Sequence, residues 1–298
     1  MHLMKNVAYI IVAGCLWGII SLFVTGLSSL GFSSMQVVAI RVACSALILG
    51  GFMLVKDASL LKIRLRDIPL FLGSGLLSIV FFNFCYFEAI EVIGGAAVPA
   101  LLLYTAPLFV MLLSLVLFKE PLTKRKVVSL MLALAGLGLV TGAFSSGAAL
   151  SAEAVLLGLG SGLGYALYSI FGKILLPRYD ALTITAYSFV VAAMFAVPLS
   201  GVVPAVSSIA CVKGVVCAVG LSLLSTVVPF SLYTVGLKGL EAGKASILAT
   251  VEPLVAAIVG VVFFHELLTP EKAGGIALIL VAVVLLNLPA RTRRRLQN

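Results

Sequence analysis

Long stretches of this chain carry no charge at all. None falls between Lys5 and Arg41, between Lys126 and Glu153, or between Asp180 and Lys213. Inside these stretches apolar residues follow one another in runs, without the strict polar–apolar alternation of a half-buried strand. A helix needs about 20 mostly apolar residues to cross the hydrocarbon of a bilayer. Ten segments meet that measure, at roughly 5–26, 35–55, 68–90, 94–118, 124–142, 153–176, 182–202, 211–236, 242–264 and 270–289. Lipid offers a backbone N–H or C=O no partner, so each span is expected to be a helix. Transmembrane strands would be shorter and would alternate. The first span is longer than the apolar core of a leader peptide and is expected to be retained.

Composition agrees. Of 298 residues, 62% are hydrophobic and 10% are charged, with a mean hydropathy of +1.25. A water-soluble domain is closer to about 45–50% and 25%. The five cysteines are scattered without a C-x-x-C pair, and no motif asks for a metal or a cofactor. The net charge of +9 would suit nucleic acid, but its placement argues for lipid. With the N-terminus inside, alternate loops collect Lys5; Lys56, Lys62, Arg64 and Arg66; Lys119 and Lys124–Lys126; Lys173 and Arg178; Lys238 and Lys244; and Arg291–Arg295. The other side receives Lys213 and Lys272. This is the positive-inside asymmetry, and it places both termini in the cytoplasm of a multi-pass cell-membrane protein. The basic tail RTRRRL is expected to lie on anionic headgroups.

A repeat runs through the pattern. LFKEPLTKRKVVSL, shifted by 146 positions, falls on FFHELLTPEKAGGI, and upstream Pro107 falls on Pro253. A weaker match shifted by 148 sets Trp17 on Tyr165 and Ser21 on Ser169. His265-Glu266 is therefore one of two repeated corners rather than half of a zinc-type H-E-x-x-H, whose second histidine would stand where Thr269 is. Thr123 and Thr269 suit helix N-caps. Residues 1–148 and 149–298 then form two halves of five spans each. Five is odd, so the second half is expected to enter the membrane upside down.

These pieces resemble a known family. LWG at 16–18, Arg41 early in the second span, the prolines of spans 4 and 9 and the two E-x-L-T corners together resemble the EamA-type branch of the drug/metabolite transporter superfamily. The resemblance covers nearly the whole chain. It implies an all-α membrane fold of ten helices in two inverted five-helix repeats. It also implies transport of small metabolites, often amino acids or their relatives and commonly outward, through a cavity lined by spans 1, 3, 4, 6, 8 and 9.

Several residues within spans are candidates for that work. Pro107 and Pro253 delete a helical hydrogen bond, freeing the carbonyls of Leu103 and Ala249. They are expected to be simple kinks, pivots or sites of substrate-facing carbonyls. Glu252 costs about 2.5–3.5 kcal/mol at membrane depth, which marks it for a cationic substrate group, a coupling proton or a structural bond. Arg41 and Glu88 are placed to pair across neighbouring helices or to snorkel, with substrate carboxylate binding by Arg41 as the alternative. Trp17, Asn83, Tyr86, Tyr104, Tyr165 and Tyr168 either line a cavity or pack with one hydrogen bond each. GLGSGLG at 158–164 is expected to be a close-packing helix face. GLEAGKAS at 239–246 lacks the first glycine and the Ser/Thr of a phosphate loop, so transport would draw on a gradient and not on ATP. The resulting expectation is a secondary exporter of a small metabolite in a lipid bilayer. Protons and a second copy of the chain are candidate partners, and nucleic acid is not. An integral-membrane enzyme and a drug or amine efflux carrier are the alternatives.

Overall fold

The computed structural model describes residues 2–145 and 151–288. The boundary expected at 148 and the basic tail at 291–296 lie outside the described residues. Among the described residues there is no strand. The long helices are α1 (Leu3–Ser28), α2 (Ser34–Lys56), α3 (Leu65–Ile93), α4 (Ala97–Phe118), α5 (Lys124–Thr141), α6 (Ala152–Leu175), α7 (Ala181–Ser200), α8 (Val212–Lys238), α9 (Ala242–Phe263) and α10 (Pro270–Asn287). Nine of these are long and apolar enough to cross a membrane; α5 opens on Lys124, Arg125 and Lys126, which shortens its apolar stretch. The protein is an all-α integral membrane protein, and each helix lies within a few residues of its expected span.

The repeated corners have the same geometry. Lys119 and His265 are the two non-glycine residues with positive φ among the described residues, at 57° and 55°. Each turns the chain so that the next amide reaches back: Glu120 N–H to the Ser114 carbonyl at 3.2 Å, Glu266 N–H to that of Gly260 at 3.0 Å. These bonds satisfy carbonyls that a helix end leaves orphaned. Thr123 Oγ1 then accepts from Lys126 N–H, and Thr269 Oγ1 from Lys272 N–H, both at 3.3 Å.

The two prolines do more than kink their helices. α4 is broken at Tyr104-Thr105 into Ala97–Leu103 and Ala106–Phe118, and α9 at Ala249-Thr250 into Ala242–Leu248 and Val251–Phe263. Pro107 and Pro253 fall in the first turn of the second segment, where the missing N–H would have no partner anyway. The Ala249 carbonyl is reused by Glu252 N–H at 3.0 Å. Thr105 Oγ1 donates to the Leu102 carbonyl at 2.6 Å. Both breaks are covered by a glycine of a neighbouring helix. A Cβ on Gly162 of α6 would lie 2.8 Å from Thr105 Oγ1 and 2.9 Å from the Leu102 carbonyl oxygen; one on Gly14 of α1 would lie 3.1 Å from the Ala249 oxygen. Two further irregularities are π turns, at Gly73–Phe81 in α3 and Leu223–Val227 in α8.

The packing comes in matched pairs. α1 lies against α8 and α9, as α6 lies against α3 and α4; α2 packs on α7 and α5 on α10. At one end the basic residues gather. Arg178 pairs with the buried Asp67 at 2.5 Å, Arg125 bonds the Leu288 carbonyl, and Lys173 bonds those of Leu237 and Leu240. At the opposite end Lys213 Nζ donates to Ser29 Oγ at 2.6 Å.

Gly162→Val should force α6 away from the α4 break and lower the thermal unfolding midpoint in detergent, at a cost of about 1–3 kcal/mol. Gly50→Val, where no atom lies within 4 Å of the added carbon, should leave the midpoint in place. Equal behaviour of the two variants would show that the close approach is unimportant.

Candidate functional site

The α9 break creates the main polar feature inside the bundle. It makes Glu252 the first-turn acidic residue of a new helix segment, where backbone N–H groups favour a negative charge. Tyr165 of α6 donates its hydroxyl to Glu252 Oε2 at 3.2 Å, and the Tyr104 hydroxyl, at the α4 break, also faces this carboxylate. Gly18 of α1 comes against the Glu252 carbonyl, at 2.8 Å from where its Cβ would be. The two helix breaks thus meet around one carboxylate.

Beyond Tyr165 lies an aromatic wall. Trp17 makes edge contacts with Phe230 at 5.0 Å and Tyr165 at 6.4 Å, and a tilted one with Tyr233 at 5.5 Å. Phe82 stands edge-on to Tyr165 at 5.5 Å, and Tyr168 edge-on to Phe230 at 4.9 Å. Arg41 of α2 points into this group, its guanidinium carbon 5.7 Å from the Phe230 ring centre. Its Nε donates to Thr226 Oγ1 at 2.8 Å. Thr226 sits in the α8 π turn and donates in turn to the Leu221 carbonyl at 2.8 Å. The π turn therefore carries the residue that holds the arginine.

These side chains enclose a small chamber that Ser78, Asn83 and Ser169 also line. Its free space is about 20 Å³, room for little more than one water. Two buried donors on its wall, Trp17 Nε1 and Ser78 Oγ, have no hydrogen-bond partner among the described residues. A larger recess of about 320 Å³ lies at the basic end, lined by Lys62, Arg64, Arg178 and Tyr179. It is a surface feature far from the carboxylate, and the buried chamber is the better candidate on chemical grounds.

The candidate residues divide. Trp17, Arg41, Tyr104, Tyr165 and Glu252 come together. Tyr168 lines the chamber, but its hydroxyl is held by Thr234 at 2.9 Å and Thr185 at 3.3 Å. Asn83 also lines it, with its amide turned back to the Ile79 carbonyl at 2.7 Å. Tyr86 packs between Phe82 and Phe87. The expected Arg41–Glu88 ion pair does not form: Arg41 turns to Thr226 and Phe230, and Glu88 stays beside Cys85 on α3. A hydroxyl and a ring already inside the bundle serve the guanidinium without desolvating a second charge. Ser78, Phe230 and Tyr233 were not singled out from the sequence. A mid-span tyrosine was a usable signal for Tyr233. Ser78 had none, because its place depends on the π turn of α3.

The pattern of the EamA-like transporter family matches residues 4–142 and again 152–288. The chain belongs to the EamA-like transporter family. An uncharacterized transporter of Archaeoglobus fulgidus is 31% identical over 284 residues, covering 93% of this chain and 94% of its own. The uncharacterized transporter YwfM of Bacillus subtilis is 27% identical over 209 residues, 70% of each chain. A crystal structure with 19% identity superposes with a TM-score of 0.78 over 95% of this chain and 96% of its own, which shows the shared fold. For this EamA-like protein, membership supports a membrane transporter of small molecules and leaves the solute to the chamber's chemistry.

Tyr168→Phe should cost about 0.5–1.5 kcal/mol of stability, because Thr185 and Thr234 keep bonds to their own helix carbonyls. Thermal unfolding in detergent measures this. Transport that collapsed while the midpoint barely moved would show that the hydroxyl meets the solute instead.

Proposed function

We propose that this protein is a secondary transporter that exports a small polar or amphipathic metabolite, an amino acid or a related compound, across the cytoplasmic membrane. The observation that carries the reading is the Glu252 carboxylate, held inside the bundle at the α9 break by Tyr165 and facing Tyr104. A charge at that depth is retained for a purpose, because a neutral residue would fold more easily there. Glu252 suits a cationic group of the solute or a coupling proton. Arg41, with the unpartnered donors of Trp17 and Ser78, suits the solute's carboxylate or another acceptor. The aromatic wall covers its apolar part.

The chamber is too small for any metabolite as it stands, so uptake requires the helices around it to move. The breaks in α4 and α9 supply joints, since the regular helical ladder gives way there to i→i−3 bonds such as Thr105 to Leu102 and Glu252 to Ala249. The reading takes residues 1–148 and 149–298 as inverted halves that exchange shapes, with the basic end and both termini in the cytoplasm. The paired packing of α1 with α8 and α9 and of α6 with α3 and α4 supports it. The energy comes from a gradient of protons or of the solute itself. A second reading, an amine or drug efflux carrier, is favoured by the aromatic rings around a carboxylate, which would receive a cation without needing Arg41.

Purified protein in proteoliposomes should move at least one member of a panel of amino acids and amines, assayed with and without a pH gradient. Glu252→Gln should lower the rate about tenfold or more and flatten its pH dependence. Arg41→Gln should affect amino acids and spare amines if the first reading holds, and spare both if the second does. A rate and pH profile untouched by Glu252→Gln would remove this carboxylate from the mechanism.

A further inference from the structure

The two E-x-L-T corners share their backbone geometry, yet their glutamates do different things. Glu120 is 8% exposed. Its carboxylate crosses to α9 and accepts from two backbone amides, Ala242 at 2.8 Å and Gly243 at 3.2 Å. Lys126, six residues on, adds an ion pair to Glu241 at 2.5 Å and donates to the Pro121 carbonyl at 3.0 Å. The first segment of α9 is thereby drawn onto the second segment of α4 at the basic end. A Cβ on Gly243 would touch Met111 Cγ at 3.0 Å, so the seam is tight.

At the opposite end the corresponding parts are apart. Glu266 is 52% exposed and folds back on its own corner, bonded to Lys272 Nζ at 2.7 Å and lying against Gly260. The shift of 146 that relates the corners sends Ala242 and Gly243 to Ala96 and Ala97. Ala96 is the N-cap of α4 and Ala97 its first residue, while Ala242 and Gly243 are the first two residues of α9. Ala96 is exposed, and neither amide has a hydrogen-bond partner among the described residues. The first segment of α4 barely meets the second segment of α9, although the equivalent pairing at the basic end is extensive.

We infer that Glu120 and Glu266 are alternating latches: Glu120 closes the basic end in this structure, and Glu266 closes the opposite end in the other state by binding the amides of Ala96 and Ala97. The inference rests on the reading of the protein as a transporter with two exchangeable halves. It goes further in naming the groups that hold each state and in making the states unequal. The basic end has a second lock, Lys126 with Glu241. The position matching Glu241 is Gly95, which has no charge to offer Lys272. Lys272 instead holds Glu266 in reserve. The state closed at the basic end is therefore the resting one, and closure of the opposite end must release Glu266 from Lys272 first.

The test needs a background in which Cys15, Cys44, Cys85, Cys211 and Cys217 are replaced. Met111→Cys places a thiol under the Glu120 seam. Adding Glu120→Gln should raise its labelling by a membrane-impermeant maleimide, applied from the basic side, by about fivefold to thirtyfold. Separately, Ala96→Cys with Glu266→Cys should form a disulfide under copper–phenanthroline oxidation, and more of it when Glu120→Gln is added. Thermal unfolding of each variant establishes that it is folded. If Glu120→Gln unfolds the protein, Lys126→Gln, which removes only the second lock, should give a smaller rise in labelling. Unchanged labelling in folded variants, or no disulfide in protein that still transports, would overturn the latches and leave the transport reading standing. Labelling and cross-linking as expected, with no solute moved, would count against that reading alone, since neither measurement involves a solute.

Discussion

A bilayer cannot satisfy a backbone amide, and every feature of this molecule has to respect that. Ten helices close their own hydrogen bonds. Where the ladder is interrupted, in α4 and α9, protein must replace the lost partner. In α9 it does so through Glu252, whose amide takes up the Ala249 carbonyl, while in α4 Thr105 bonds the Leu102 carbonyl beside the break. Gly14 and Gly162 let neighbouring helices come close enough to keep lipid away from both breaks. The irregular backbone is confined to the middle of the bundle because it is affordable nowhere else.

That confinement also concentrates the chemistry. A helix that restarts inside the protein presents unpaired N–H groups, and Glu252 occupies such a start. Hydroxyls follow the charge: Tyr165 donates to it and Tyr104 faces it. Arg41 is accommodated by a different device, a π turn in α8 that offers Thr226 and sets Phe230 beneath the guanidinium. One cation and one carboxylate thus stand near each other without forming a direct ion pair among the described residues. Each retains bonding capacity beyond the bonds to Thr226 and Tyr165.

The same physics acts at the helix ends. At the basic end the Ala242 and Gly243 amides are buried and Glu120 satisfies them, whereas Glu266 at the other corner is exposed and pairs with Lys272. Glu120 and Glu266 share their local backbone and differ in their partners, α9 amides for Glu120 and Lys272 of its own corner for Glu266. The corner geometry is a local property of Lys119 and His265 in the left-handed region; what each glutamate meets is a property of the whole bundle.

Much was legible from the chain alone, because it depended on local chemistry or on the solvent. Uncharged runs specified helices, Thr123 and Thr269 specified caps, and the repeated corners identified His265-Glu266 as a joint. Pro107 and Pro253 marked the irregular positions, though proline by itself does not say whether a helix bends or stops. The Arg41–Glu88 pairing failed because sequence depth along two helices says nothing about rotation around them. The π turns of α3 and α8 were invisible, since no residue type requires one, and with them went Ser78 and the Thr226 contact. Local propensity and membrane thickness act on each segment separately and can be read one segment at a time. Which side chains meet in the chamber, and what each corner glutamate meets, depend on how ten helices turn about their own axes, and that is decided by packing among all of them at once.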